Sequence, residues 1–223
     1  MKRSAFKIFV LIALFCCGHS LLGQNRSDKV VDPKAKALLD KATAHFDSKN
    51  GLSADFMVLI ENTRNDKKES IPGKIQLKGD KFKLSVAGVV TYFDGKTQSV
   101  FMQDANEVTI SNPSAADLKD INPLLLMKSY QQGYKMKYMG ARKEGGKTYD
   151  VVELYPDNLK GEYSIISITI EKESMAFHSI RMQGKGGVNT MLTVTKTDTE
   201  ALPDSLFVFN PSSVKGIEVV DLR

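Results

Sequence analysis

The sequence predicts a mainly β protein of the α+β class, with about eleven short antiparallel strands and two helices. Three observations predict it. From residue 52 onward, apolar residues recur with a period of two in segments joined by short polar turns, as in an antiparallel meander. One amphipathic stretch precedes those segments. One strongly apolar stretch, Asn122-Pro123-Leu124-Leu125-Leu126-Met127-Lys128-Ser129-Tyr130, interrupts them and reads as a helix.

The leading helix opens at Pro33. Leu38, Leu39, Ala42 and Phe46 recur at three- to four-residue spacing, and Asn50-Gly51 ends it. Ala54, Phe56, Val58 and Ile60 then alternate, although Met57 and Leu59 make the other face apolar too. Residues 62–69 read as a solvated turn. Ile75 and Leu77 follow, and Gly79-Asp80 makes a tight turn into Phe82, Leu84 and Val86. Val90 and Tyr92, Val100 and Met102, and Val108 and Ile110 mark three more strands before Asn112-Pro113 breaks the meander.

A polar helical stretch at 115–119 leads into the apolar helix. Asn122 is a suitable N-cap, Pro123 suits the first helical position, and Gly133 is placed to stop it. The first turn is apolar on every side, so it must be buried against a large apolar surface. Strands resume at 134–138, 148–154, 162–171, 177–182 (where the spacing suggests a bulge) and 191–197. Gly184-Lys185-Gly186-Gly187 is a turn. The chain closes with Phe207-Val208-Phe209-Asn210-Pro211.

Residues 1–23 are expected to be an export signal, and 24–223 a single domain. Lys2, Arg3 and Lys7 precede a ten-residue apolar run at 8–17, too short to span a bilayer. Cleavage after Ser20 obeys the small-x-small rule; cleavage after Gly23 has Leu21 at −3. Removing 1–23 takes away three basic residues, so 31 basic against 26 acidic becomes 28 against 26, and the net charge falls from +5 to +2. With no dense basic patch interleaved with aromatics, nucleic acid is not an expected partner. Both cysteines, Cys16 and Cys17, lie in the signal, and neither sits in a good lipid-attachment context.

The mature chain keeps two histidines, His45 and His178, far apart, and no cysteine. It shows no helical metal-ligand pair, no nucleophile elbow and no phosphate-cradling loop that opens a helix. The sequence is therefore read as non-enzymatic, with no cofactor and no metal. What it supplies in excess is apolar surface. A sheet of this size curls, closes or splits. If it curls, its inward face is a trough for acyl chains, and the mid-chain helix lies over the opening as a lid. The candidate lining comes from Phe56, Val58 and Ile60 on the first strand, chosen over Met57 and Leu59 for size and branching. Ile75, Leu77, Phe82, Leu84, Val86 and Tyr92 follow, then Ile166, Ile168 and Ile170, with Leu124, Leu125 and Met127 from the lid.

Several motifs share one order along the chain: Lys78-Gly79-Asp80-Lys81-Phe82, Tyr92-Phe93-Asp94-Gly95-Lys96-Thr97, Asn122-Pro123-Leu124-Leu125-Leu126, and Phe207-Val208-Phe209-Asn210-Pro211 with Lys215-Gly216-Ile217-Glu218-Val219-Val220-Asp221. From about residue 34 to 221 the chain resembles the LolA family, the periplasmic carriers of outer-membrane lipoproteins. The resemblance implies an unclosed antiparallel β-barrel with a helical lid over an apolar cavity. It also implies acylated lipoproteins as cargo, an inner-membrane lipoprotein-releasing transporter as donor, an outer-membrane acceptor, a periplasmic location and a monomer. The best-known members hold the lid with an arginine on the second main strand; Gly79 stands at the matching position here. A lipid-anchored receptor, or a lipid- or lipoprotein-sensing module on the same half-barrel, is the alternative. Against the receptor, the loop at 61–70 is polar where an apolar membrane-inserting loop is needed.

Overall fold

The computed structural model describes residues 31–46, 51–114, 117 and 129–223. Twelve strands form one sheet: β1 (Leu52–Asn62), β2 (Lys67–Lys78), β3 (Lys81–Val86), β4 (Val89–Phe93), β5 (Gln98–Met102), β6 (Glu107–Ser111), β7 (Tyr134–Glu144), β8 (Lys147–Pro156), β9 (Tyr163–Glu171), β10 (Phe177–Gly184), β11 (Val188–Thr199) and β12 (Glu218–Asp221). Their order across the sheet is 12-6-5-4-3-2-1-11-10-9-8-7. Every pairing is antiparallel except β12 with β6, which is parallel. The end strands β7 and β12 do not pair with each other, so the barrel is unclosed.

The first eleven strands fall where the period of two places them, and several run longer than the alternation: β7, expected at 134–138, continues to Glu144. β2 begins at Lys67, inside the segment read as a turn, because the polar residues find partners across the ladder. Glu61 lies opposite Lys68, and their side chains form an ion pair at 2.7 Å. β11 also extends beyond 191–197 at both ends. After β11 a 3-10 turn spans Asp204–Phe207, and a twelfth strand, which the alternation does not mark, forms farther on. The bulge expected near 177–182 is present as a register shift between Phe177 and Ser179.

Helix α1 (Pro33–Phe46) starts where proline puts it. Asp32 caps it, one carboxylate oxygen accepting the N–H of Lys34 at 2.8 Å and of Ala35 at 3.3 Å. The other oxygen accepts the N–H of Tyr138 on β7 at 3.0 Å, so the cap also ties the helix to the sheet. The bond from Tyr138 is the main reason the Asp32 carboxyl sits below the usual carboxylate range, with those from Ala35 and Lys34 adding to it against some desolvation. Ala35, Leu38, Leu39 and Ala42 form the buried stripe of α1. They pack on Leu52, Leu77, Phe82, Phe93, Met136, Val152, Leu154, Ile166, Ile168, Ile170 and Phe177 from one face of the sheet, the inner face.

The opposite face is covered near β4–β6 by the C-terminal segment. The ring of Phe209 lies 5.4 Å from that of Tyr92 and 5.2 Å from that of Phe101. The Asn106 side chain donates to the carbonyls of Lys215 and Gly216 and guides the chain into β12. Lys78 and Lys81, on either side of the β2–β3 turn, hold Asp204 at 2.8 and 2.7 Å, and Lys78 also donates to the carbonyl of Leu202.

Candidate functional site

The ladder registers decide which side chains share the inner face. On β1 these are Leu52, Ala54, Phe56, Val58 and Ile60, paired on β2 with Leu77, Ile75, Gly73, Ile71 and Glu69. The same face continues through Phe82, Leu84 and Val86 on β3. On the other side of β1 it continues through Leu192 and Thr190 on β11, Ile180 and Met182 on β10, and Ile168 and Ile166 on β9. Eleven expected lining residues therefore stand on one surface: Phe56, Val58, Ile60, Ile75, Leu77, Phe82, Leu84, Val86, Ile166, Ile168 and Ile170. The choice of Phe56, Val58 and Ile60 over Met57 and Leu59 agrees with these registers.

Tyr92 is a correction. It pairs with Lys83 and Ser99, out of phase with Phe93, and faces away from the trough toward Phe209. A strand whose two faces are both apolar cannot be phased from its own sequence; the C-terminal aromatic that covers Tyr92 lies more than a hundred residues away in the chain. Leu124, Leu125 and Met127 lie outside the described residues. The end of their stretch is described: Tyr130 is buried, and its hydroxyl donates to Asp40 of α1 at 2.7 Å. Burial, with the Asp40 carboxylate adding, pushes the Tyr130 phenol up.

The inner face holds two apolar clusters. The one beneath α1 is described above; the second is Phe56, Val58, Ile71 and Val86. Ile75 and Leu84 pack against both, so the clusters form one continuous surface. Several of its members, namely Ile60, Ile75, Leu84, Ile180, Met182 and Leu192, are only half-buried. Ile71, Leu192, Ile180 and Met182 were missing from the expected lining. Alternation carries the signal for each of them, since 71, 73, 75 and 77 form a single phase, as do 190, 192 and 194. A hollow of about 440 Å³ opens on the outer side of these strands, lined by Asp55, Met57, Pro72, Lys74, Ser85 and Thr195, with Phe56, Gly73 and Val86 behind it. On the inner side Gly73 is required beneath Phe56, because a Cβ would lie 2.3 Å from two ring carbons of that side chain.

Gly79 adopts φ +55° in the β2–β3 turn, and the lysines beside it engage the C-terminal segment rather than α1. At the end of the inner face near Ile60 and Met182, among the described residues, the hydroxyls of Tyr163 and Thr190 are buried without a hydrogen-bond partner. Burial, with the neighbouring Glu162 carboxylate adding, pushes the Tyr163 phenol up to about 12. Among the described residues no group of three or more His, Cys, Asp or Glu is placed to hold a metal ion.

An unclosed barrel with a helix on a continuous, half-open apolar face defines a lipid-binding class of fold. Residues 29–186 match the family model described as the outer membrane lipoprotein carrier protein LolA. The chain belongs to that family, whose description is of a carrier and not of an enzyme. Among solved structures, an uncharacterized conserved protein from Thermus thermophilus superposes with TM-score 0.60 at 12% identity, covering 84% of this chain and 99% of that one. Looser likenesses are a LolA superfamily protein from Nitrosomonas europaea (TM-score 0.40, 12% identity, 78% and 97% covered) and the lipoprotein LppX of Mycobacterium tuberculosis (0.46, 17%, 77% and 98%). At these identities the likenesses bear on fold alone. No curated protein matches the chain in sequence.

Proposed function

We propose that this protein is an exported carrier that takes the acyl chains of lipoproteins onto its inner face and ferries them from the inner to the outer membrane. In this reading residues 1–23 are removed on export, and residues 24–223 act as one domain and as a monomer. An inner-membrane transporter loads it and an outer-membrane acceptor unloads it. The observation that carries the reading is the continuous apolar inner face left half-open at Ile60, Ile75, Leu84, Met182 and Leu192. Each acyl methylene moved from water onto such a surface is worth about 0.8 kcal/mol. A long chain therefore needs a trough, and a carrier also needs a way to let go.

Release is supplied by competition. Leu124, Leu125 and Met127 of the lid fill part of the empty trough until lipid displaces them. Replacing all three with alanine is expected to change both the affinity for a fluorescent acyl probe and the apolar surface reported by a hydrophobic dye. If neither moves, the lid has no such role.

Mass spectrometry of what co-purifies with the mature protein from its native periplasm tests the carrier reading. Triacylated peptides or intact lipoproteins are the expected result. Free fatty acids or glycolipids alone would keep the trough and remove the lipoprotein route. An empty protein that also refuses an acyl probe would remove the trough itself.

A further inference from the structure

Among the described residues three buried side-chain hydroxyls lack a partner: Thr43 on α1, and Tyr163 and Thr190 on strands. The last two belong together. Thr190 pairs with Ile60 on one side and Met182 on the other, so it stands in the inner-face row. Tyr163 pairs with Gly184, two residues along β10 from Met182 and hence in the same phase. The register irregularity between Gln183 and Gly184 brings Tyr163 into that phase; without it, Tyr163 would share the outer phase of Ile165. The strands β9 and β11 flank β10, so the two backbones are about 10 Å apart. Tyr163 is 8% exposed and Thr190 is 6% exposed.

Buried hydroxyls normally find partners, and leaving one unpaired destabilises the folded chain. Two in one phase, at one end of an otherwise apolar surface, point to a ligand group that supplies acceptors. The placement along the trough says which group. Toward the other end of the strands the inner face presents Leu52, Ile170 and Phe177, all members of its apolar cluster. Polar rim residues lie beyond Tyr163 and Thr190: Glu61 and Lys68 are ion-paired, and the Thr63 hydroxyl donates to the carbonyl of Gly187.

We propose that Tyr163 and Thr190 form a polar subsite that donates hydrogen bonds to the ester or amide carbonyls at the head of a bound acyl chain, whose tail lies along the apolar inner face toward Leu52 and Ile170. The subsite rests on the carrier reading and refines it: it fixes the direction of the lipid and selects acyl over alkyl linkages.

The test compares two pyrene-labelled lipids of equal chain length on the mature protein: a diacylglycerol, with two ester carbonyls, and the corresponding dialkylglycerol ether, with none. Tyr163→Phe and Thr190→Val remove each hydroxyl at nearly constant shape. Wild type is expected to prefer the ester by roughly tenfold or more, each single variant to lose about five- to tenfold in ester affinity, and the double variant to bind both lipids alike with ether affinity unchanged. Because each substitution removes an unpaired buried hydroxyl, the lipid-free variants are expected to melt at or above the wild-type temperature. Equal wild-type affinity for ester and ether overturns the subsite while leaving the carrier reading intact. So do variants that weaken both lipids together, or that melt well below wild type. A wild type that binds neither lipid removes the carrier reading and the subsite with it.

Discussion

At Gly73 the backbone passes beneath the ring of Phe56, and the closeness of a Cβ built there makes it one position where side-chain size is tightly limited. Gly73→Ala forces the ring aside or the strand to shift and is expected to cost about 1–3 kcal/mol, read as a lower midpoint in urea. Asp32 serves two elements through two oxygens. Asp32→Ala is expected to lower the melting temperature, while Asp32→Asn, whose side-chain oxygen still accepts at the N-cap, should recover part of the loss. Pro33 was legible as the helix start, but the double role of Asp32 was not, because its second bond is to a residue 106 positions away. The same separation explains Tyr92. Local alternation ranks residues within a strand, and only a distant partner tells which of two apolar faces points inward.

The β2–β3 hairpin shows at the scale of an element what a polar turn can do. Its flanking Lys78 and Lys81 hold Asp204, and their hydrogen bonds lower that carboxyl to about 2. The sign follows from the lowered value. The unfolded chain has an ordinary carboxylate near 3.8, so the stabilisation is present above that pH and is lost as pH falls toward 2. The stability difference between wild type and Asp204→Asn should be constant from neutral pH down to about 5, shrink as pH falls through 2 and vanish only below it, measured by chemical denaturation at each pH. Strand existence was legible throughout the meander, since period-two alternation is a local property. Strand ends were not. β2 extends through Lys67, Lys68 and Glu69 because β1 offers it a ladder, and a charged segment without that partner reads as a turn. β12 was missed altogether, because Glu218–Asp221 is a strand only by virtue of β6 beside it.

The strands of the described residues form one sheet with two unlike faces. The inner face carries the apolar trough and α1, and the outer face near β4–β6 is closed by Phe209 against Tyr92 and Phe101. These faces are separable by mutation. Phe209→Ala is expected to destabilise the fold by less than the ~3–5 kcal/mol of a fully buried phenylalanine, since its ring is half-buried. It should leave uptake of an acyl probe unchanged, whereas truncation of Leu84 should weaken uptake. The inner face was legible as a set of residues, eleven of them in one phase, because burial on a sheet leaves a period-two trace. Its polar end was not: Tyr163 reaches the inner phase only through a register irregularity, and nothing in the local sequence marks one.

The missing seam between β7 and β12 has a mechanical consequence. In a closed barrel, girth is set by strand number and stagger, and widening it means tearing a full row of hydrogen bonds. Here the gap serves as an expansion joint. The sheet can change its curvature while every ladder bond stays made, so hydrogen bonding alone does not fix its girth. Under the carrier reading proposed above, one such protein would take passengers with two chains or three, straight or kinked.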